Sequence, residues 1–170
     1  MDFKIIPYND SWRPDLEVML RDYLTFVGNH IKSYPWNYTI DIEQELAFTF
    51  NNLQAFTPPK GRIFMAVISN NAIGTASVKM IRDNVAELKR LYVSRSYRGK
   101  KFGELLMDSI FDLAKEYGAK EIYLDSPPPF KPAHDLFRRK GFEVFSQYPE
   151  VSIPNELKVD WVYMRKELEN

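Results

Sequence analysis

The stretch VAELKRLYV, residues 85–93, constrains the fold most strongly because its apolar pattern changes phase in the middle. Ala86 and Leu88 alternate as they would on one face of a β-strand, whereas Leu91 and Val93 are apolar at the opposite parity. Side chains of a strand alternate between its two faces, so one extra residue is needed to return the second pair to the first face. The pattern therefore predicts a β-bulge near Lys89-Arg90.

The segments around this strand predict a mixed sheet. Two strand-like runs, 62–70 and 72–81, precede it and are separated by tight-turn residues, which favours an antiparallel meander. An apolar stripe at helical spacing covers 102–117 and is followed by Gly118, a natural helix end. Residues 120–126 read as a buried strand. Because a strand–helix–strand crossover joins parallel strands, this segment is predicted to pair in parallel with the bulged strand.

The remaining segments complete an α/β (α+β) architecture that we predict to be one domain over residues 1–170. Ser11 is predicted as the N-cap of a first helix, and the aromatic residues after it as a loop. The last two strands are predicted to form an antiparallel pair. These elements are a strand at 2–7, helices at 11–28 and 40–56, a loop at 29–39, a short helix at 131–141 and strands at 142–148 and 160–168.

Composition excludes several classes of function. Lys plus Arg equals Asp plus Glu at 23 each, so no basic excess points to nucleic acid. The chain has no cysteine, which excludes disulfides, thiolate zinc sites and a catalytic thiol.

Neither His30 nor His134 has a partner at metal-ligand spacing, so no metal is expected, and His134 is expected to be solvated or capping. No signal peptide and no membrane-length apolar run occur, so we expect a cytoplasmic protein without a membrane partner.

A basic turn precedes the predicted helix at 102–117. Cations are disfavoured at a helix N-terminus, where the helix dipole is positive. The first N–H groups of the helix lack partners, and Gly99 and Gly103 would let an anion approach the backbone. The turn thus indicates either an anion site or a solvated basic turn; it lacks the Walker and Rossmann patterns. Its four cations, within seven residues, are Arg95, Arg98, Lys100 and Lys101.

Residues 62–146 resemble the GNAT superfamily of N-acetyltransferases. The family motif Gln/Arg-x-x-Gly-x-Gly/Ala, preceded by an apolar strand ending in Val, is similar to residues 98–103, with Lys101 in the place of the first glycine. A second motif, Ala-x-x-x-Tyr-x-x-x-Gly-Phe on a short helix, is matched except that Phe137 replaces the tyrosine. The resemblance implies a mixed, mostly antiparallel sheet with a splayed parallel strand pair and flanking helices. The residues that match the second motif are Ala133, Phe137, Gly141 and Phe142.

The same resemblance implies acetyl-CoA as co-substrate. In such enzymes the backbone of the bulged strand pairs with the pantetheine arm, and the amides of the basic turn hold the pyrophosphate. The predicted bulge fits this, because it would splay two parallel strands and leave backbone groups that need a partner. The implied cofactor-binding residues are Leu91, Tyr92, Val93, Arg98, Gly99, Lys100, Lys101, Phe102, Gly103, Ala133 and Phe137.

Lys101 leaves two conformations open. If the position required a positive φ angle, a lysine there would cost of order 1 kcal/mol. If it is an ordinary first-turn residue, lysine is harmless and can face a phosphate. We expect the second.

Direct attack of an amine on the thioester is expected, since no cysteine can form an acyl-enzyme. Glu87 resembles the position of a general base in part of the family; the alternative is a cross-strand ion pair on the sheet surface. Phe137 has no hydroxyl with which to protonate the leaving thiolate. Tyr148 and Tyr123 are candidates for that role; otherwise coenzyme A leaves as a stabilised thiolate, or catalysis is lost.

The acceptor pocket is expected between the first two helices and their loop, where Tyr34 and Trp36 are predicted to contact substrate. Aromatic rings near a carboxylate would suit a cationic amine. The prediction is acetyl transfer to a primary amine of a small molecule. The alternatives are a protein N-terminus or lysine as acceptor, and an acyl-CoA sensor without turnover. The exposed final strands would allow a homodimer, which the sequence leaves open.

Overall fold

Seven strands, present in the computed structural model that describes residues 2–169, form one sheet. In chain order they are β1 (Phe3–Pro7), β2 (Gly61–Ile68), β3 (Asn71–Arg82), β4 (Val85–Val93), β5 (Glu121–Ser126), β6 (Glu143–Phe145) and β7 (Val162–Glu167). Their order across the sheet is β1-β2-β3-β4-β5-β7-β6. Among these seven strands of residues 2–169, only β4 and β5 pair in parallel, so the sheet is mostly antiparallel with one parallel pair, as the sequence predicts.

Helices cover both faces of this sheet. They are α1 (Arg13–Lys32), α2 (Ile42–Asn51), α3 (Phe102–Glu116) and α4 (Lys131–Arg139). The apolar stripe of α3 packs with α4 against one face, in a core that includes Leu106, Ile110 and Phe137. Leu16 and Leu20 of α1 pack with Leu46 of α2 against the opposite face. The two faces of β4 are therefore covered by different helices.

The predicted bulge is present in β4. Thr75 of β3 lies opposite Tyr92, and Ser77 lies opposite Lys89, so two β4 residues oppose one β3 residue between these pairs. Arg90 stands in the bulge with a φ of 55°, in the left-handed region. The change of apolar parity thus marks the extra residue correctly.

The parallel pair separates soon after it begins. β4 and β5 pair only over Val85–Glu87 and Glu121–Tyr123. The rest of β5 pairs with β7 alone, on its other edge. Beyond Glu87 the two strands splay apart, as the resemblance implies, and a cleft opens between them.

Three sequence predictions about helices are wrong in detail. Helix α1 continues to Lys32 instead of ending at residue 28, because Ile31 extends its apolar stripe and is only 1 % exposed. Ser11 is not its N-cap: Trp12 holds that position, and Asn9 caps a short 3-10 turn before it. Helix α2 ends at Asn51 and is followed by a separate 3-10 turn.

His134 is buried and not solvated, which corrects its sequence-based assignment. Its Nε2 lies 3.0 Å from Ser126 Oγ and so joins α4 to the end of β5. Burial, and then the charge of Arg138, lower the pKa of His134. Protonation is therefore disfavoured in the folded chain.

We expect the stability of the folded chain to fall as the pH drops below about 6.5, the ordinary histidine pKa. A lowered folded-state pKa means that the unfolded chain binds more protons there, so stability is lost as pH falls through the folded value. The slope from one group is at most about 1.4 kcal/mol per pH unit. Urea midpoints of wild type and His134→Gln between pH 5 and 8 test this. Equal slopes for both proteins would contradict it.

Candidate active site

The cleft between β4 and β5 is a cavity of about 690 Å³. Its walls come from β4, the end of β5, α1, the start of α3, and α4. Of the residues predicted to bind the cofactor, all except Lys100 line it. The structure thus brings the bulged strand, the basic turn and the short helix together around one space.

Backbone groups of β4 point into this cavity. Ser94 N–H donates to Ile73 O of β3 at 2.8 Å, and in an antiparallel ladder alternate residues bond to the same neighbour. Tyr92 therefore bonds toward β3, whereas Leu91 and Val93 direct their N–H and C=O groups toward the cleft. In the described part of the chain β5 does not pair with them. This edge of β4 is open to an extended ligand.

The N-terminus of α3 is open as well. The first bond of the helix runs from Leu105 N–H to Lys101 O at 3.1 Å. The N–H groups of Phe102, Gly103 and Glu104 have no partner within the helix. No side chain caps the helix from its N-cap position, Lys101. Unpaired N–H groups at the positive end of a helix form an anion site.

Lys101 adopts the left-handed conformation, with a φ of 65°. The expectation that it is an ordinary first-turn residue is therefore wrong. Two left-handed residues, Gly99 at 75° and Lys101, bring the chain from β4 into α3. A residue with a Cβ in this region costs about 1–2 kcal/mol, which explains why glycine suits the position.

We expect Lys101→Gly to stabilise the chain by about 0.5–1 kcal/mol, because glycine adopts a φ of 65° without strain. The greater entropy of glycine in the unfolded chain offsets part of this gain. The matched control is Lys100→Gly, which removes an equal charge where φ is not positive and so should stabilise nothing. Urea unfolding measures both. A Lys101→Gly variant no more stable than the Lys100→Gly variant would contradict the prediction.

Arg98 lies across the mouth of the cavity. Its Nε donates to Val93 O at 2.9 Å, and its guanidinium stands 4.3 Å from the Phe26 ring centre and 5.4 Å from that of Tyr92. The sequence predicts Arg98 as a cofactor-binding residue of the basic turn; in the structure its side chain is folded back over β4. Arg98 thus already bonds to one of the two β4 carbonyl groups that point toward the cleft, those of Leu91 and Val93.

Glu87 is fully buried beneath the cavity and does not line it. Tyr148 donates its hydroxyl to Glu87 Oε1 at 2.8 Å, so the two side chains predicted to be catalytic are bonded to each other. Lys89 Nζ and Lys79 Nζ approach the same carboxylate at 3.3 Å and 3.4 Å. Glu87 thus makes one cross-strand ion pair, with Lys79 of β3, and one along its own strand, with Lys89, and both lie within the core and not on the sheet surface. Burial, and then Glu87, raise the pKa of Tyr148, which keeps its hydroxyl protonated.

Asp125 near the end of β5 does line the cavity, and it was not predicted from the sequence. Lys89 Nζ lies 2.8 Å from its Oδ2, and Trp161 Nε1 donates to its Oδ1 at 3.0 Å. Burial opposes the charge of Lys89, but Asp125 and then Glu87 raise its pKa, so Lys89 stays charged. The signal available in the sequence was its place near the end of a strand that is predicted to splay from its neighbour.

His30 also lines the cavity, because α1 is longer than predicted. Its Nδ1 lies 2.7 Å from Phe26 O. A carbonyl only accepts hydrogen bonds, so Nδ1 carries the proton, and in the neutral ring Nε2 is left as an acceptor.

Four other predicted residues fall into two groups. Phe137 lines the cavity and packs on Phe142, with ring centres 5.9 Å apart, and it presents no hydroxyl. Tyr34 and Trp36 stack at 4.3 Å outside the cavity lining, and Trp36 Nε1 donates to Asp160 Oδ2 at 2.8 Å. Tyr123, likewise outside the lining, donates its hydroxyl to Glu121 at 3.1 Å. The loop after α1 packs on the segment before β7 and not over the cleft.

Across residues 2–169 there is no group of three or more His, Asp or Glu side chains that could hold a metal ion. In the same part of the chain no helix has the length and apolar character needed to cross a membrane.

A splayed parallel strand pair with an uncapped helix N-terminus at its mouth defines an acyltransferase of the GNAT type. The family model "Acetyltransferase (GNAT) family" matches residues 25–142, and the chain belongs to this family of N-acetyltransferases. This chain is 30% identical over 152 residues to an uncharacterized N-acetyltransferase of Schizosaccharomyces pombe, and the match covers 88% of each chain.

Solved structures share the fold. The PaiA N-acetyltransferase of Thermoplasma acidophilum, in complex with coenzyme A, superposes with a TM-score of 0.77 at 20% identity, covering 98% of this chain and 99% of that one. YncA of Salmonella typhimurium, solved with acetyl-CoA, gives 0.71 at 18% identity, covering 100% and 96%.

Proposed function

We propose that this chain transfers the acetyl group of acetyl-CoA directly to the primary amine of a small molecule. The observation that carries the proposal is the 690 Å³ cavity at the splay of β4 and β5, lined by the cofactor residues identified from the sequence. One sheet that spans Phe3 to Glu167 supports treating residues 1–170 as one acetyltransferase domain. A cytoplasmic location and a homodimer stay predictions from the sequence.

The groups present fit coenzyme A. The outward backbone of Leu91 and Val93 offers strand-like partners for the two amides of pantetheine. The free N–H groups at the start of α3 suit a pyrophosphate, with Lys100 and Lys101 beside them as counter-charges. Relatives with this fold hold coenzyme A or acetyl-CoA, which supports the assignment.

The reaction forms a C–N bond and breaks the C–S bond of the thioester. An alkylammonium with a pKa of about 10 must first lose a proton, and His30 Nε2 and Asp125 are acceptors on the cavity wall. We assign Glu87 a positioning role: it holds Lys89, which in turn holds Asp125. As the amide forms, the nitrogen gives up a second proton to the same acceptors or to solvent, and coenzyme A leaves as a thiolate, which takes a proton from solvent. A thiol pKa of about 8.5 makes this a far better leaving group than the amine.

A small acceptor is favoured because α1 covers the acceptor side of the cavity. Tyr23, Phe26 and His30 of this helix line it there. Phe26 and His30 stack on each other at 4.4 Å and on Phe130 of the loop before α4, at 5.1 Å and 5.0 Å. This aromatic wall joins α1 to the opposite side of the cleft, which narrows the access that a peptide chain would need.

Two measurements test the proposal. Acetyl-CoA should raise the melting temperature, because a ligand that binds only the folded chain stabilises it. Free thiol should then appear when amines from a panel are added, with the acetylated amine identified by mass spectrometry. Stabilisation without thiol release on any amine would favour a sensor. Absence of stabilisation would overturn the proposal.

A further inference from the structure

The bulge in β4 puts two consecutive cations on the same face of the sheet. Lys89 reaches Asp125 on the face covered by α1 and α2. The Arg90 guanidinium lies 5.7 Å from the ring centre of Phe56, which packs in the α1–α2 core. In a regular strand these neighbours would point to opposite faces. The extra residue therefore adds a cation to the side of the cleft where the acceptor is proposed to bind.

These two cations differ in their partners. Lys89 is matched by Asp125 and Glu87. Within residues 2–169, no carboxylate oxygen lies within 4.0 Å of the Arg90 guanidinium, and no hydrogen bond to it is formed. Burial lowers the pKa of Arg90, with Tyr23, Glu45 and Glu87 acting in the opposite direction. A half-buried guanidinium with no carboxylate in direct contact is costly, and its N–H donors can bind both oxygens of one carboxylate.

Arg90 and Tyr23 both line the cavity. Burial and Asp125 raise the pKa of Tyr23, while the charge of Arg90 lowers it, so the phenol stays a protonated donor within the field of the guanidinium. Along β4, Arg90 lies three residues before Val93, about 10 Å at strand spacing, and further still from the basic turn. It is therefore badly placed for a pyrophosphate held at the start of α3.

Resting on the proposed acetyl transfer, we infer that the acceptor carries a carboxylate next to its amine, as a free amino acid does, and that Arg90 binds this carboxylate with Tyr23 as a second donor. Asp125 supplies the negative charge on the same part of the wall, suited to the ammonium before it loses its proton. The zwitterion of an amino acid matches this pair of charges.

The test uses matched acceptors: each standard amino acid, its carboxamide, and the amine left by decarboxylation. Acetyl transfer is measured as kcat/KM with the product confirmed by mass spectrometry. Wild type should prefer the acid over the carboxamide by about tenfold or more, as expected for a charged hydrogen bond. Arg90→Asn should lose that preference, since asparagine tolerates the left-handed backbone but carries no charge. Arg90→Lys should keep part of it.

The control is Arg82→Gln, an arginine at the far end of β3 outside the cavity lining, which should keep the wild-type preference. Each variant is also titrated with acetyl-CoA by thermal shift. If acetyl-CoA binds neither the wild type nor any variant, the proposed function itself fails. If acetyl-CoA binds but no carboxylate-bearing amine is acetylated, or the preference survives in Arg90→Asn, the inference is overturned and the cofactor assignment stands. If Arg90→Asn is the one variant that loses acetyl-CoA affinity, Arg90 binds the cofactor, and the inference that it binds the acceptor carboxylate is overturned.

Discussion

Gly103→Phe should weaken acetyl-CoA binding by about a hundredfold or more, a loss of roughly 2.7 kcal/mol, while the chain stays folded. Gly103 stands on the first turn of α3 and lines the cavity. A Cβ there would lie 3.5 Å from Leu136 Cδ2 and 3.8 Å from Val93 Cγ2, which are ordinary contacts. The strain is therefore not in the first carbon; because Gly103 lines the cavity, we expect a phenylalanine side chain to occupy space proposed for the pyrophosphate. Thermal shift across an acetyl-CoA titration measures the effect.

Two variants separate blockage from other causes. Gly103→Ala should bind acetyl-CoA within tenfold of wild type and unfold at a higher denaturant concentration, because alanine is about 0.8–1 kcal/mol better than glycine inside a helix. Arg95→Ala removes an exposed charge of the same turn and should weaken binding only a few-fold. If Arg95→Ala and Gly103→Phe had equal effects, charge and not backbone access would hold the ligand.

Glu87→Ala should destabilise the chain by about 3 kcal/mol or more, the usual result of removing one partner from a buried ion pair. The change leaves Lys79 and Lys89 with one carboxylate fewer, and it leaves the Tyr148 hydroxyl buried without its acceptor. Urea unfolding at pH 7 measures the loss. The control is Asp135→Ala, which breaks an exposed pair with Arg138 and should cost less than about 1 kcal/mol.

The isosteric Glu87→Gln variant tests the role of this residue in catalysis. Glutamine keeps an oxygen for Tyr148 and fills the same volume, so the chain should fold at reduced temperature. Because Glu87 does not line the cavity and acts only through Lys89 on the position of Asp125, kcat should fall by less than about tenfold. A loss of about 10²–10⁴-fold in a folded variant would instead make Glu87 the general base.

The sequence predicts the parts of this site that depend on periodicity. A two-residue repeat that changes parity locates the bulge, and a helix between two apolar strands predicts the parallel pair, because both follow from chain geometry alone. The left-handed φ of Lys101 was not predicted, since the residue type argues against it and only the neighbouring turn requires it.

Tertiary packing decides the remainder. Gly28 and Asn29 discourage helix, yet burial of Ile31 carries α1 onward and places His30 on the cavity wall. Nothing local in the sequence shows that β7 inserts between β5 and β6, or that Tyr148 therefore reaches Glu87 from the far end of the chain. That no carboxylate of residues 2–169 contacts Arg90 is likewise a property of the whole fold, because it depends on which carboxylates the other elements bring near.

The bond from Arg98 to the Val93 carbonyl makes occupation of the strand edge an exchange reaction. A pantetheine amide that pairs there displaces a guanidinium donor, so one hydrogen bond replaces another and little free energy is gained at that carbonyl. From its place in the basic turn, an arginine released from that bond would be free to face the phosphates. Ligand fragments that end before the pyrophosphate should then bind far more weakly than their contact area suggests. Binding of the half of the coenzyme that carries the phosphates and adenine would draw Arg98 away from the Val93 carbonyl and so make this carbonyl available to pantetheine.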